Sequence, residues 1–290
     1  MAKRFWQTLW FKLLAGLLLL ALAVALGIGA YTKYKYFPQA SYDAVAPELP
    51  RFQGGPRVLV FSKTNGYRHL EAIPAANALL QRLAQKNGWN VFATENAAIH
   101  NGNDLGQFDL LVWANVSGDV LTPEQREVFR RYIETGGSVL ALHATGGDPS
   151  YEWDWHPNEF IRAQFIGHPM FPQFRNATIT VEDREHPSTR HLYPQWVTQE
   201  EWYSFEQSPR PRVQVLATVD EAEYEVPDYL AMGADHPVIW WHKLGEGTVY
   251  YSALGHQAKA YDDPAYQQLL EEAMRWLLER SADARRAPGG

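Results

Sequence analysis

Histidine is the residue type with which this sequence could do chemistry. It has ten of them and no cysteine, which rules out disulfides and thiol catalysis. Imidazole titrates near pH 6.5, close to working pH, so it suits proton transfer as well as metal ligation. His143 stands at the end of the apolar run Ser138–Leu142, where "SVLALHATGGD" should turn. A polar ring that caps a buried strand needs a partner. Gly146 and Gly147 beside it would let a ligand approach the backbone.

Other histidines follow the same pattern. His69 comes after "RVLVFS", His186 after "TITVED" and His256 after "TVYYSAL", while His236 opens "HPVIWW". Ligands of open parallel sheets bind at the carboxyl ends of the strands. Five imidazoles from separate loops are therefore expected on one rim. His143 and His256 are the expected general acid and base. His69, His168, His236, Glu201 and Tyr203 are the expected substrate-positioning groups. Any one histidine alone reads as a loop or packing residue, and His100, His191 and His242 stay in that class. Convergence carries the argument.

The metal question stays open at this level. No His-Glu-x-x-His or His-x-His spacing is present, but a site assembled from distant loops leaves no local signature. Imidazoles together with Asp183 or Glu201 could hold Zn²⁺ or a similar divalent ion. The same two carboxylates are candidates for glycosidase chemistry by location only. Aromatic residues crowd this half of the chain: Trp153, Trp155, Trp196, Trp202, Tyr203, Trp240 and Trp241. Such rings suit the faces of sugars and equally suit a core. "EEWYSF" (200–205) joins carboxylates to aromatics and reads either as a polar cradle or as a solvated loop.

The positioning elements are legible from 57 onward. Strands are expected at "RVLVFS", "WNVFATE", "FDLLVWANV" and "SVLALHA", with helices at 71–88 and 122–137 between them. Thr122, Pro123 and Gln125 form a helix-start signature. This alternation implies right-handed crossovers and a parallel, three-layer α/β sandwich. Strands are also expected at 177–183 and 213–219. A C-terminal β-hairpin over 236–256 turns at "GEG", and an amphipathic helix over 263–280 closes the fold. Tyr151–Met170 reads as loop.

The first 36 residues differ in kind. Leu13–Thr32 is twenty residues without a charge, long enough to cross a bilayer. It is expected to be one uncleaved transmembrane helix, with a cleaved signal peptide as the rival. Three basic residues and the amino terminus precede it and two basic residues follow, which places the remainder outside the cytoplasm, in a periplasm. The expected organisation is an anchor over 1–36, a proline-rich linker over 37–56, a domain over 57–280 and a flexible tail over 281–290. Five of the 26 basic residues precede Phe37 and no acid does, leaving 21 against 33, a net −12. That balance argues against a nucleic-acid partner.

The ordered series "TNGYRH" (64–69), "GGSVLALHATGG", "FIGHP" (165–169), "DREHPSTRHL" (183–192), "EEWYSF", "HPVIW" (236–240) and "ALGH" (253–256) resembles the trehalose-utilisation, or ThuA-like, family. The likeness spans Arg57 to Leu278. It implies a flavodoxin-like sheet, similar to that of class I glutamine amidotransferases, with His143 at the elbow and His256 near the base position. Without cysteine, amidotransferase chemistry does not carry over. The resemblance implies sugar catabolism, acting on disaccharides or their keto forms. The anchor departs from the simple family pattern and suggests a membrane-tethered member. The competing functions are a metal-dependent hydrolase or lyase that uses the same histidines, and a non-catalytic carbohydrate-binding module. Neither substrate nor oligomeric state is fixed by the sequence.

Overall fold

Short apolar runs rich in Val, Leu and Ile can bury both faces only inside a sheet covered on each side. In the computed structural model, which describes residues 2–36, 40–148 and 151–286, four such runs lie side by side, with a half-buried fifth strand, β2 (Asn90–Thr94), at their edge. The four are β1 (Arg57–Phe61), β3 (Leu110–Ala114), β4 (Ser138–Leu142) and β11 (Gly247–Ser252). Adjacent members of the order β2-β1-β3-β4-β11 are parallel. β3 and β4 are buried at every position. Helix α2 (Ala72–Asn87) ends at Gly88 with φ +69°, and α3 (Pro123–Glu134) starts with the Thr122–Gln125 capping box expected from the sequence.

Beyond β11 the sheet changes character. β10 (Pro237–Leu244), β9 (Gln214–Val219), β6 (Arg175–Val181) and β7 (Gln195–Glu200) each run antiparallel to the preceding neighbour. The hairpin β10–β11 matches expectation, with Gly245 at φ +61° in its turn. A separate two-stranded sheet pairs β5 (Phe165–Gly167) with β8 (Ser204–Phe205). β5, β7 and β8 escaped sequence reading: β5 and β8 are only three and two residues long, and the residues of β7, "QWVTQE", do not alternate between apolar and polar. His156–Ile161, expected as loop, is a π-helical turn.

Helix α4 (Pro264–Arg286) packs beside α2, where Lys86 and Asn87 both bond Glu271. It continues past 280 to Arg286, so 281–286 is helix and not the expected loose tail, and Arg285 pairs with Asp109. Residues 287–290 lie outside the described residues. Neighbouring tyrosines of β11 mark the two layers. Tyr250 faces Ser188 and His186, which packs on Trp276 of α4, whereas Tyr251 faces Trp240 on the opposite side.

The first helix, α1 (Ala2–Tyr36), is long and apolar enough over Trp10–Tyr34 to cross a membrane, with mean hydropathy 2.6 and no burial against the rest. A membrane anchor and a signal sequence both have this form. The following linker is not a free tether after residue 40. Asp43 accepts from Lys63 Nζ and from the Ala97 N–H, and its carbonyl accepts from Gln125. Leu49 and Phe52 pack against the core.

Several histidines serve the core. His100 packs on Phe61, Trp113 and Phe129, and its Nδ1–H donates to the Ala97 carbonyl. Burial pushes His100 and His156 down to about 3. Burial, then the Arg162 charge, pushes His242 down to about 4. The unfolded chain binds these protons near pH 6.5 and the folded chain does not, so stability falls as pH drops below 6.5. A His100→Phe variant should lose less stability than the parent between pH 7 and pH 5, by about 1–2 kcal/mol. Urea unfolding at both pH values measures this; equal losses would refute it.

Candidate functional site

Strand direction decides which loops meet. β1 and β4 end at the same edge, β11 runs parallel to β4, and β6 runs the opposite way, so β7 also ends at that edge. His69, His143, His256 and Glu201 therefore converge, each offering one ligand atom, all within 4.8 Å of one another. The first two histidines and Glu201 are buried, and His256 is partly exposed.

His143 has φ +44°, a left-handed conformation that residues with a Cβ rarely adopt. It turns the chain sharply after β4 and leaves the ring at the sheet edge. Its Nδ1–H donates to the Ala253 carbonyl at 2.7 Å, which fixes the neutral tautomer and leaves Nε2 as an acceptor. That Nε2 lies 3.1 Å from His256 Nδ1 and 3.5 Å from Glu201 Oε2, and accepts from the Tyr203 hydroxyl at 2.8 Å. Burial lowers the affinity of His143 for a second proton, partly offset by the nearby Glu201 carboxylate. His69 stands edge-on to His143 and His256, with centroids 4.9 and 4.5 Å away, and its Nδ1 is buried with no hydrogen-bond partner. Burial, then the neighbouring imidazoles His143 and His256, pushes His69 well down.

Glu201 is the anion of the group. Its Oε2 sits 2.8 Å from His256 Nδ1, and its Oε1 faces His168 Nε2 at 3.1 Å and accepts from the Gln173 amide. Burial alone would push its pKa up, but the bond from His256 and the neighbouring His143 imidazole outweigh that and hold it well below the usual carboxylate range. Glu200, beside it, behaves oppositely. Burial pushes it up to about 8, although it accepts from the Gly255 and His256 backbone N–H groups. Adjacent carboxyls thus divide the work: one is charged in the cluster, the other holds the His256 loop.

Of the expected site residues, His143, His256, His69, Glu201, Tyr203 and His168 come together. His236 does not reach the cluster. It is fully buried, its Nε2–H donates to the Tyr203 carbonyl, and its Nδ1 faces Glu221 and Tyr224, so it supports Tyr203 from behind. His186 and Asp183 lie at the opposite edge because β6 is antiparallel there, and His186 packs on Trp276. Neither can join the site. "EEWYSF" is buried and no solvated loop. Sequence reading missed Glu200, Gln173 and the Ala253 carbonyl; only the pairing of two carboxyls at 200–201 hinted at the first.

The glycines near His143 also have a different use from the one expected. A Cβ on Gly146 would lie 2.7 Å from the Tyr251 ring, and one on Gly147 only 2.2 Å from the Tyr203 ring. The space is filled by tyrosines, one of which donates to the His143 carbonyl and the other to its Nε2. A Gly147→Ala variant should therefore displace Tyr203 and cost about 1–3 kcal/mol by overpacking. Urea denaturation measures it, and an unchanged midpoint would contradict this packing.

The sequence matches the trehalose-utilisation family, ThuA, over residues 57–277. Among solved structures it is similar to a ThuA-like protein from Bacteroides uniformis, at 21% identity and TM-score 0.66, covering 80% of this chain and 95% of that one. It is also similar to a ThuA-like protein from Parabacteroides merdae, at 16% identity and TM-score 0.58, covering 77% and 90%. No curated protein matches it. The structural likenesses bear on the fold; the family match, which spans most of the chain, ties it to a carbohydrate-related role. The chain belongs to the trehalose-utilisation (ThuA) family.

Proposed function

We propose that this chain is a carbohydrate-processing enzyme whose cluster of His69, His143, His256 and Glu201 holds a divalent transition-metal ion. The carrying observation is the 3.1 Å between His143 Nε2 and His256 Nδ1. An acid and a base acting on opposite sides of a substrate atom must leave room for that atom, and 3.1 Å leaves none. Two nitrogens each about 2.0–2.1 Å from a tetrahedral ion lie about 3.3 Å apart. Direct acid–base action by His143 and His256 is therefore the less favoured reading.

The donor set supports the same choice. Three imidazoles and one carboxylate suit Zn²⁺ and its first-row neighbours. The His143 Nδ1–H bond to a carbonyl is the outer contact that commonly orients a ligating imidazole. His168 and Gln173 orient Glu201 in the same manner. The unpartnered Nδ1 of His69 marks polar capacity that the protein alone leaves unused.

When bound, such an ion acts as a Lewis acid on a substrate carbonyl or hydroxyl oxygen. The protein then supplies the rest. Tyr203, whose hydroxyl burial holds well above its ordinary pKa, stays protonated and can donate to a sugar oxygen. His168, partly exposed, stands beside Glu201. The substrates in view are disaccharides and their keto derivatives, in keeping with the family, with hydrolysis or elimination as the reaction class. The helix α1 would anchor the enzyme in an inner membrane, with the folded part in the periplasm.

The test is elemental analysis of full-length protein purified without chelator, alongside turnover of a sugar and keto-sugar panel. Bound metal near one equivalent is expected, with activity lost to chelator and restored by metal. Glu201→Gln should lower metal affinity by more than roughly 100-fold, and His168→Gln by roughly 10-fold, as befits an outer contact. Metal-free protein with full turnover would overturn the proposal. Saturable sugar binding with no chemical change in any ligand would instead identify a binding module.

A further inference from the structure

The folded part has eight large apolar side chains exposed among the described residues from 40 onward, and they are not spread evenly. Tyr193 lies beyond the opposite edge, in the β6–β7 connection, and Val197 lies on β7. The other six sit at the edge that carries the cluster. Ile166, Met170 and Phe171 (91% exposed) belong to the segment between β5 and β6, whose His168 faces Glu201 and whose Phe174 ring lies 5.1 Å from that of His256. Tyr229 (78% exposed) adjoins Leu230, which packs at Gly167 of the same segment. Tyr42 and Val45 are exposed where the linker crosses the loops after β1 and β2. A clustered, exposed apolar surface around a polar site marks a contact surface.

What it contacts follows from the linker. α1 ends at Tyr36, and Ser41 is already fixed on the domain, its N–H donating to Asn65 Oδ1 and its carbonyl accepting from Asn65 Nδ2. Five residues span at most about 18 Å. Asn65 belongs to the loop that presents His69, and the His69 and Phe174 rings both touch His256. The point of attachment and the apolar segment thus flank the same cluster. A helix that crosses a bilayer and ends within that reach holds this edge, rather than the opposite one, near the membrane surface. Tyr31 and Tyr34 near the end of the span fit the aromatic belt of the same interface.

We propose that the six apolar side chains rest in the headgroup layer of the bilayer that α1 spans, so that the site opens onto the lipid surface. The inference rests on the reading of α1 as an uncleaved anchor and adds to it a defined docking face. The cluster itself is not required to hold metal for docking to occur.

Single cysteines can be labelled without background, because the chain has none. Full-length Met170→Cys, Tyr229→Cys and Tyr193→Cys variants, each carrying an environment-sensitive fluorophore, would be reconstituted in phosphatidylethanolamine–phosphatidylglycerol vesicles doped with headgroup-nitroxide lipid. Labels at 170 and 229 should be quenched several-fold more than the label at 193. Equal quenching at all three positions overturns the proposal, as does protein that fails to float with the vesicles. Blue-shifted labels in detergent that depend on protein concentration would reveal a second copy on this face and overturn it too. Metal content measured on the same samples separates the two readings: lost quenching with metal intact rejects docking alone, and the converse rejects the metal centre alone.

Discussion

A carboxylate removed from water costs several kcal/mol unless opposite charge or donors replace its hydration. Glu201 is in that position, almost fully buried at the end of β7, yet held well below its ordinary pKa. Its charge is tolerated because His256, His143, His168 and Gln173 surround both oxygens. Those partners come from separate loops, so the constraint reaches through the fold. Each loop must arrive at one edge, in register, or the buried anion is left without compensation.

The antiparallel half of the sheet answers that requirement. A purely parallel continuation would need a crossover helix for each added strand. Instead each neighbour from β11 through β10, β9, β6 and β7 runs antiparallel to the one before it, which brings the ends of β7 and β9 and the start of β10 to the edge that carries the cluster. Glu200 ends β7 and Glu201 follows it, Glu221 follows β9, and His236 precedes β10. Around this, tyrosines do the packing. Tyr203 stacks on the His143 ring at 4.3 Å and Tyr251 bonds its carbonyl, and both need the bare glycines at 146 and 147. The left-handed His143 is held from several sides at once, which is how such strained conformations persist.

Much of this was legible in the sequence, and what was not has physical reasons. The parallel strands and their helices announce themselves through continuous apolar runs, the Thr122 capping box and Gly88. That His143 and His256 meet follows from the rule that loops gather at strand ends. The same rule misplaced His186 and Asp183, because it presumes parallel strands and β6 is antiparallel. Strand direction is set by pairing, which no local pattern records. His236 was placed at the correct edge, yet its side chain is spent on the Tyr203 carbonyl and Glu221. Whether a residue precedes or follows a strand can be read from sequence, whereas the partner of its side chain cannot. The linker misled for a related reason: prolines and missing periodicity describe local disorder of pattern, while Asp43 and Ser41 are fixed by distant residues.

We propose that three imidazoles and Glu201 form one coordination shell. X-ray absorption fine structure of the Zn²⁺-loaded full-length protein tests it most directly. The account predicts about four nitrogen or oxygen neighbours near 2.0–2.1 Å, with the outer-shell scattering of three imidazole rings. A shell of oxygens alone, without imidazole scattering, would contradict it.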